Sequence, residues 1–453
     1  MWTAIEEPSI SSRKEFVKTA NPSDVRKLLS AKHYDGFVEM AIRYGKSFRL
    51  GKSVVTCEPG VTQALLMDKV HTEVRSDLHK AARRFPGASG VLFLDGEDWL
   101  KRVRAVMPAF HREHVDTFPP SLRDLTLQHA RSWQQQGRVP DLATAVQRLG
   151  AASVLKMGYG LDPENPLAKH LIEALIDYKQ TTMNPDPRYR LDEFAIGGEK
   201  IFQLPWVVHM IYRMRQKTAR VHAAVKAVLK DGRAILKQHG WFGDLREAGL
   251  SAKEYADEIN HLYGAFNAID YVTTCALYEL GRDPQLVLAM RKELQAGLAA
   301  EALPSREDLA RLPLTRGFML EILRLYPVSM AIARRVGATL KVGDEELPAG
   351  TEMMILPYAL HYHPDFWKEP KKLLPQRWAG SDQPEVPYSY IPFLDGLRKC
   401  IGRSMAEMQL LIVMTTIVRN FDVGLFAEGV IPPFLIPRFS KPLPFVLQNP
   451  LPA

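Results

Sequence analysis

A chain of 453 residues, 46% of them hydrophobic, has ample material for a buried core, and its length fits two or three average domains or one large fold. Three cysteines, Cys57, Cys275 and Cys400, are too few and too scattered for a disulfide framework, which argues for a reducing, intracellular setting. The formal net charge of +8 comes from dispersed cations with no aromatic-basic RNA motif and no zinc-finger spacing, so no nucleic-acid partner is expected.

The first 35 residues read as a lead-in. Met1 to Lys18 mixes Glu6, Glu7, Arg13, Lys14 and Glu15 with serines and holds no apolar run of signal-peptide or anchor length, so a cytoplasmic protein without a membrane anchor is expected. Ser47 to Cys57 alternates around a Gly-Lys turn and predicts a hairpin, followed by a helix from about Gly60 to Asp68. Arg75 to Ser89 is polar and broken by Phe-Pro-Gly-Ala, a loop. Gly96-Glu97-Asp98-Trp99 opens a helix with acids first and cations after, matching the helix dipole.

From Leu122 to Tyr159 and from Leu167 to Thr182 the apolar spacing is helical. Asn184-Pro185-Asp186-Pro187 and Gly197-Gly198 break the pattern between Met183 and Leu204, and a cationic helix follows from about Val207 to His239. Ser251 with Glu254 reads as a capping box for an apolar helix running to about Leu280, where Gly281-Arg282-Asp283-Pro284 stops it. Helices are expected over Leu286 to Leu298 and Leu314 to Leu325. Leu340 to Leu347 with Thr351 to Leu356 reads as a small hairpin, and Phe421 to Leu425 and Pro444 to Leu447 alternate similarly. Helix dominates, with small β-sheets, in one domain spanning 1–453 without a fused reductase.

Near the C-terminus, Cys400 stands among glycines and cations just ahead of an apolar helix that starts near Ser404. A helix N-terminus and neighbouring cations favour an ionised sulfur, and so an electron-rich ligand. Gly396 and Gly402 permit tight turns and the close approach of a flat cofactor. Glu321 and Arg324, three apart on a helix, can hold each other. His361 and His363 flank Tyr362 without a third ligand nearby, which favours packing over a metal site.

The run from Phe393 to Gly402 resembles the haem-binding loop of the cytochrome P450 family, Phe-x-x-Gly-x-Arg-x-Cys-x-Gly, with every defining position filled. Glu321-Ile322-Leu323-Arg324 and Pro375-Gln376-Arg377-Trp378 resemble two further motifs of that family, and the likeness extends from about Glu39 to the C-terminus. It implies the cytochrome P450 fold, mainly α with small β-sheets, and haem b bound through Cys400 with Phe393 beside the sulfur. It implies Trp99, Arg398 and either Arg334 or Arg335 as partners of the haem propionates, and a structural network of Glu321, Arg324 and Arg377. Four residues after Trp99, where the family usually has Arg or His, stands Val103, flanked by Arg102 and Arg104.

The activity implied is monooxygenation of an apolar small molecule with O2 and electrons from a ferredoxin or flavodoxin-type donor. Lys101, Arg102, Arg104 and Arg112, with Arg398, Lys399 and Arg403, are candidates for the donor's docking face. The family's acid-alcohol pair in the central helix falls, in this register, on Asn267 and Ala268. An amide orients a water but does not deliver a proton as a carboxylic acid does. A rival register uses Asp270 with Thr273 and Thr274. The altered pair keeps open a hydroperoxide isomerase, dehydratase or peroxygenase, and a non-catalytic haem protein is the third reading.

Overall fold

The computed structural model describes residues 17–24, 35–72, 90–182, 205–231, 249–381, 384–426 and 442–450. The expected loops at 75–89 and 183–204 lie outside the described residues, as does the predicted helix beyond Asp231. In chain order the elements are β1 (Lys18–Thr19), α1 (Asp35–Tyr44), β2 (Ser47–Leu50), β3 (Ser53–Thr56), α2 (Pro59–Met67) and α3 (Lys69–Thr72). A 3-10 turn at Val91–Phe93 leads into α4 (Gly96–Val106), α5 (Arg112–Val115), α6 (Pro119–Gln136), α7 (Leu142–Tyr159), α8 (Pro166–Thr182) and α9 (Pro205–Asp231). Then come α10 (Ala252–Arg282), α11 (Pro284–Gly297), α12 (Pro313–Leu325), β4 (Ile332–Arg335), β5 (Leu340–Val342), β6 (Glu345–Leu347), β7 (Glu352–Ile355), α13 (Pro357–Tyr362), α14 (Arg403–Asn420), β8 (Asp422–Leu425) and β9 (Phe445–Gln448).

Helix α10 runs through the helical core. Its capping box forms as the sequence predicts: Ser251 Oγ accepts from the Glu254 N–H at 3.2 Å and Glu254 returns to the Ser251 N–H at 2.8 Å. At 31 residues it is about 46 Å long, and it packs on α7, α14, α9 and β8. Leu122 to Tyr159 is not one helix. Gly137, at φ 66°, ends α6, and Asp141 caps α7 through the Thr144 N–H at 3.0 Å.

Buried apolar side chains fall into two groups, one among the helices and one around a five-stranded sheet of order β1-β2-β3-β7-β4. The predicted hairpin of Leu340–Leu347 with Thr351–Leu356 is replaced by two pairings. Strands β5 and β6 pair with each other, whereas β7 runs parallel to β3 and antiparallel to β4. The apolar run Met353-Met354-Ile355 explains the choice, because it is buried on both faces and so suits a central strand. The predicted hairpin at Ser47 to Cys57 forms from β2 and β3, and β8 pairs with β9.

Candidate active site

The loop before α14 is built from its own backbone. The Cys400 N–H donates to the Phe393 carbonyl at 2.8 Å and the Lys399 N–H to Gly396 at 3.2 Å. Gly396 is required twice over: its φ is +71°, and a Cβ there would lie 1.9 Å from the Leu66 carbonyl oxygen of α2. Gly402 differs. Its φ is −84°, and a Cβ would meet only Phe110 at 3.6 Å and the Cys400 sulfur at 3.9 Å, so no protein atom demands glycine there. Phe393 is half-buried, with the Arg403 guanidinium 5.6 Å above its ring.

The three thiols are unlike one another. Burial pushes Cys57 up to about 12 and raises Cys275 well above the ordinary thiol value, which leaves both as inert packing groups. Cys400 alone keeps accessible surface. Burial nevertheless raises its thiol above the ordinary value, outweighing the Gly402 N–H and the Arg403 charge that lower it. The sulfur therefore lies in a recess and not on the outer surface, with the Gly402 N–H and the Arg403 charge acting in the direction the sequence predicts. A metal cation would supply the missing charge.

Cations stand on the cysteine loop and on β4 nearby in the fold. Arg398 lays its guanidinium 3.8 Å above the Trp99 ring, donates to the Leu94 carbonyl at 3.1 Å and stands 3.5 Å from Asp95. Arg334 and Arg335 point to opposite sides of β4. Arg334 is buried and donates to the Ala333 carbonyl at 3.0 Å, while Arg335 is held by Glu352 at 2.7 Å. Helix α3, whose buried His71 accepts the Gly337 N–H at 3.1 Å, touches both β4 and the Gly396–Arg398 turn. One accessible sulfur in a recess with cations beside it fits a flat, dianionic metallocofactor held at its metal and its two carboxylates.

Arg102 is not among those cations. It is 6% exposed and pairs with fully buried Glu258 at 2.9 Å and with Glu254 at 3.2 Å, joining α4 to α10. Glu258 also takes the Val91 N–H at 3.2 Å, and burial raises its carboxyl against those partners. Val103 is half-buried and Arg104 exposed. Arg112 pairs with Asp116 and Glu307, and Arg403 with Glu407.

Glu321 and Arg324 face each other in two parallel hydrogen bonds of 2.7 and 2.8 Å, both side chains wholly buried. Glu321 also accepts from Trp378 Nε1 at 3.0 Å and the Leu374 N–H at 2.9 Å, and Arg377 Nε lies 3.3 Å away. Arg324 donates further to the carbonyls of His361, Pro370 and Lys372. Among the described residues there is no cluster of metal-ligating side chains, and His361 and His363 are packed.

On α10 the side chains of 262–267, including Asn267, lie outside the described residues, while Ala268 keeps some accessible surface. Asp270 is buried against α7, where a Cβ on Gly150 would fall 1.9 Å from its Oδ1. Thr274 donates to the Asp270 carbonyl at 2.7 Å, and Thr273 is buried beside it. Two helical residues separate Ala268 from Asp270 by about 200°, so the two side chains face opposite ways.

The family model described as Cytochrome P450 matches residues 26–448. The chain belongs to the cytochrome P450 family. It is similar to the mitochondrial 25-hydroxyvitamin D-1 alpha hydroxylase of Mus musculus, 26% identical over 90% of this chain and 87% of the relative. The cyclooctat-9-en-7-ol 5-monooxygenase of Streptomyces melanosporofaciens is 27% identical over 82% of this chain and 81% of its own length. The mitochondrial sterol 26-hydroxylase of Oryctolagus cuniculus is 30% identical over 47% of this chain and 41% of its own. As a cytochrome P450 the protein is a haem b enzyme of the oxidoreductase class. No described helix is long and apolar enough to cross a membrane.

Sequence reasoning missed Glu258. Glu258 lies four residues after Glu254 on the capped helix, a spacing that shows a shared face but not a buried partner 156 residues away.

Proposed function

We propose that Cys400 is the axial thiolate of the haem and that this cytochrome P450 inserts oxygen into an apolar, hydroxyl-bearing small molecule. The observation that carries the reading is the contrast among the thiols: Cys400 alone is accessible, on a loop whose Arg398 stacks on Trp99. Bound haem supplies O2 activation, helped by the electron density of a thiolate ligand. Arg398 and buried Arg334 hold the propionates and Trp99 supports Arg398, while Arg335 is committed to Glu352. The Glu321–Arg324–Arg377 network keeps the loop in place. The three relatives' names denote a hydroxyvitamin, an alcohol and a sterol, which supports a largely hydrocarbon substrate carrying oxygen.

Electrons come from a ferredoxin-type donor on the face of Lys101, Arg104 and Lys399, all exposed, with Leu100 and Leu397 as apolar contacts. Two of these relatives are named mitochondrial, against the cytoplasmic location expected from the sequence, and fractionation of the native cell decides between them. Replacing Cys400 with His tests the central assignment. The long-wavelength Soret band of the reduced carbonyl complex should disappear, and its survival overturns the reading.

Ala268 favours a second reading, because a methyl group moves no proton. The register through Asn267 and Ala268 is supported by the burial of Asp270 against α7 and of Thr273 and Thr274 beside it. In the second reading a hydroperoxide is the oxidant. Turnover with peroxide alone, and none with O2 and a reducing ferredoxin system, selects it.

A further inference from the structure

Helix α14 begins against the rule that its own dipole sets. Acids are favoured in a first turn and cations in a last one, as in α4, which opens on Glu97 and Asp98 and closes on Arg104. By contrast α14 opens on Arg403 and has no acid in its first turn. Glu407 follows at i+4, the less favourable order for such a pair. A local rule broken in this way is expected where function demands it, and a cation opposed by the helix dipole is offset by an anion at the same end.

The neighbour at that end is the Cys400 sulfur. Helical side chains lean toward the N-terminus, and Arg403 turns back over the cysteine loop, its guanidinium 5.6 Å from the centre of the Phe393 ring. Phe393 accepts the Cys400 N–H at 2.8 Å, and a Cβ on Gly402 would lie 3.9 Å from the sulfur, so the loop folds Phe393, Cys400 and the start of α14 together. Arg398 is turned away, to Trp99, Leu94 and Asp95. Glu407 completes the arrangement: its Oε1 accepts from Arg403 Nε at 2.8 Å, its Oε2 lies 3.6 Å from Arg306, and its side chain is 19% exposed against 55% for Arg403. The two charges act on the thiol in opposite senses, Arg403 lowering it and Glu407 raising it, with burial the larger influence.

We infer that the Arg403–Glu407 pair sets how readily the haem accepts an electron, Arg403 drawing electron density from the Cys400 sulfur and Glu407 returning part of it. This rests on Cys400 as the axial ligand. Neither side chain touches the reacting atoms, and both act through the sulfur. A cation beside the ligand favours the added electron and an anion opposes it. The two halves of the pair therefore push one equilibrium in opposite directions. An ion pair with a merely structural role does not, since losing either partner breaks the same contact.

The test poises the haem-loaded full chain at a fixed potential and reads the ratio of reduced to oxidised protein, with the C–O stretching frequency of the reduced carbonyl complex as a second readout. R403Q should lower the ratio roughly threefold to tenfold and lower the C–O frequency with it. E407Q should raise both, the ratio by a similar factor, and R403K, which keeps the charge, should stay within about twofold of the native protein. Shifts of the same sign in R403Q and E407Q, or shifts below about twofold in both, overturn the inference. If R403Q does not retain haem, E407Q decides alone, and a ratio that is unchanged or falls overturns it. A native reduced carbonyl complex without the long-wavelength Soret band fails the Cys400 assignment and the inference with it, whereas that band with unmoved ratios in the variants removes the inference only.

Discussion

The imidazole of His361 ties the helix that carries Arg324 to the strand of chain that leads into the cysteine loop. Its Nε2 accepts the Ile391 N–H at 3.0 Å, so Nδ1 carries the proton and donates to the Arg324 carbonyl at 3.1 Å. Arg324 in turn donates to the His361 carbonyl at 3.0 Å, and Cys400 hangs from the Phe393 carbonyl two residues past Ile391. Hydrogen bonds, with the short stretch of backbone from Ile391 to Phe393, thus link Glu321 to the Cys400 N–H.

Both nitrogens of His361 are used in its neutral form, and burial holds its pKa at about 3. An unfolded histidine titrates near 6.5. Between these values the unfolded chain binds the extra proton, so stability should fall as pH falls through the window, by up to about 1.4 kcal/mol per unit for this group. Above about 6.5 it contributes no slope. H361Q should flatten the melting temperature against pH between 4 and 6.5, and an unchanged slope would remove His361 as a source of acid sensitivity.

Removing Arg324 leaves Glu321 buried without its bidentate partner. R324A should cost about 3–5 kcal/mol in denaturant unfolding, with loss of bound haem. R324K keeps the charge but not the fork and should recover less than half of that loss. A variant as stable as the native chain would show that the carboxylate is held adequately by Trp378 and Leu374.

The two glycines of the loop should respond differently. G396A forces a methyl group onto the Leu66 carbonyl at a positive φ and should destabilise the protein by at least about 2 kcal/mol. G402A meets ordinary contacts within the protein, so apoprotein stability should change by less than about 0.5 kcal/mol. Haem retention should nevertheless drop in G402A if the cofactor covers that face. Equal apoprotein melting curves for the two variants would contradict the assignment.

Reversing Lys101 and Arg104 together should slow reduction by an acidic ferredoxin roughly tenfold at low salt, with the difference fading as salt screens it. Substrate affinity should stay constant. Arg102 is the internal control, since its reversal breaks the buried pair with Glu258 and should unfold the α4–α10 junction without a salt-dependent signature.

Much of this architecture was legible in the sequence because local rules decide it. The Ser251–Glu254 box, the Pro284 stop after α10 and the spacing around Cys400 each depend on residues close in the chain. The pairing of β7 was not legible, since Met353 to Ile355 carry no mark of which distant strand they join. Nor was the burial of Arg102, which in sequence is one cation among several. Nor was the desolvation of Cys400, because helix ends and cations are visible in a sequence whereas desolvation depends on what packs around the sulfur.

Strand β3 pairs in parallel with β7, so Val54 meets Met353, which lies 299 positions further along the chain. At a ribosomal pace of roughly 5–20 residues per second, β2 and β3 wait about 15–60 s for the neighbour that completes their sheet. During that interval Val54 and Val55, fully covered in the finished protein, lie along an open strand edge. The exposed edge thus belongs to a stage when most of the chain has yet to be made, and holdase chaperones should raise soluble yield by protecting it.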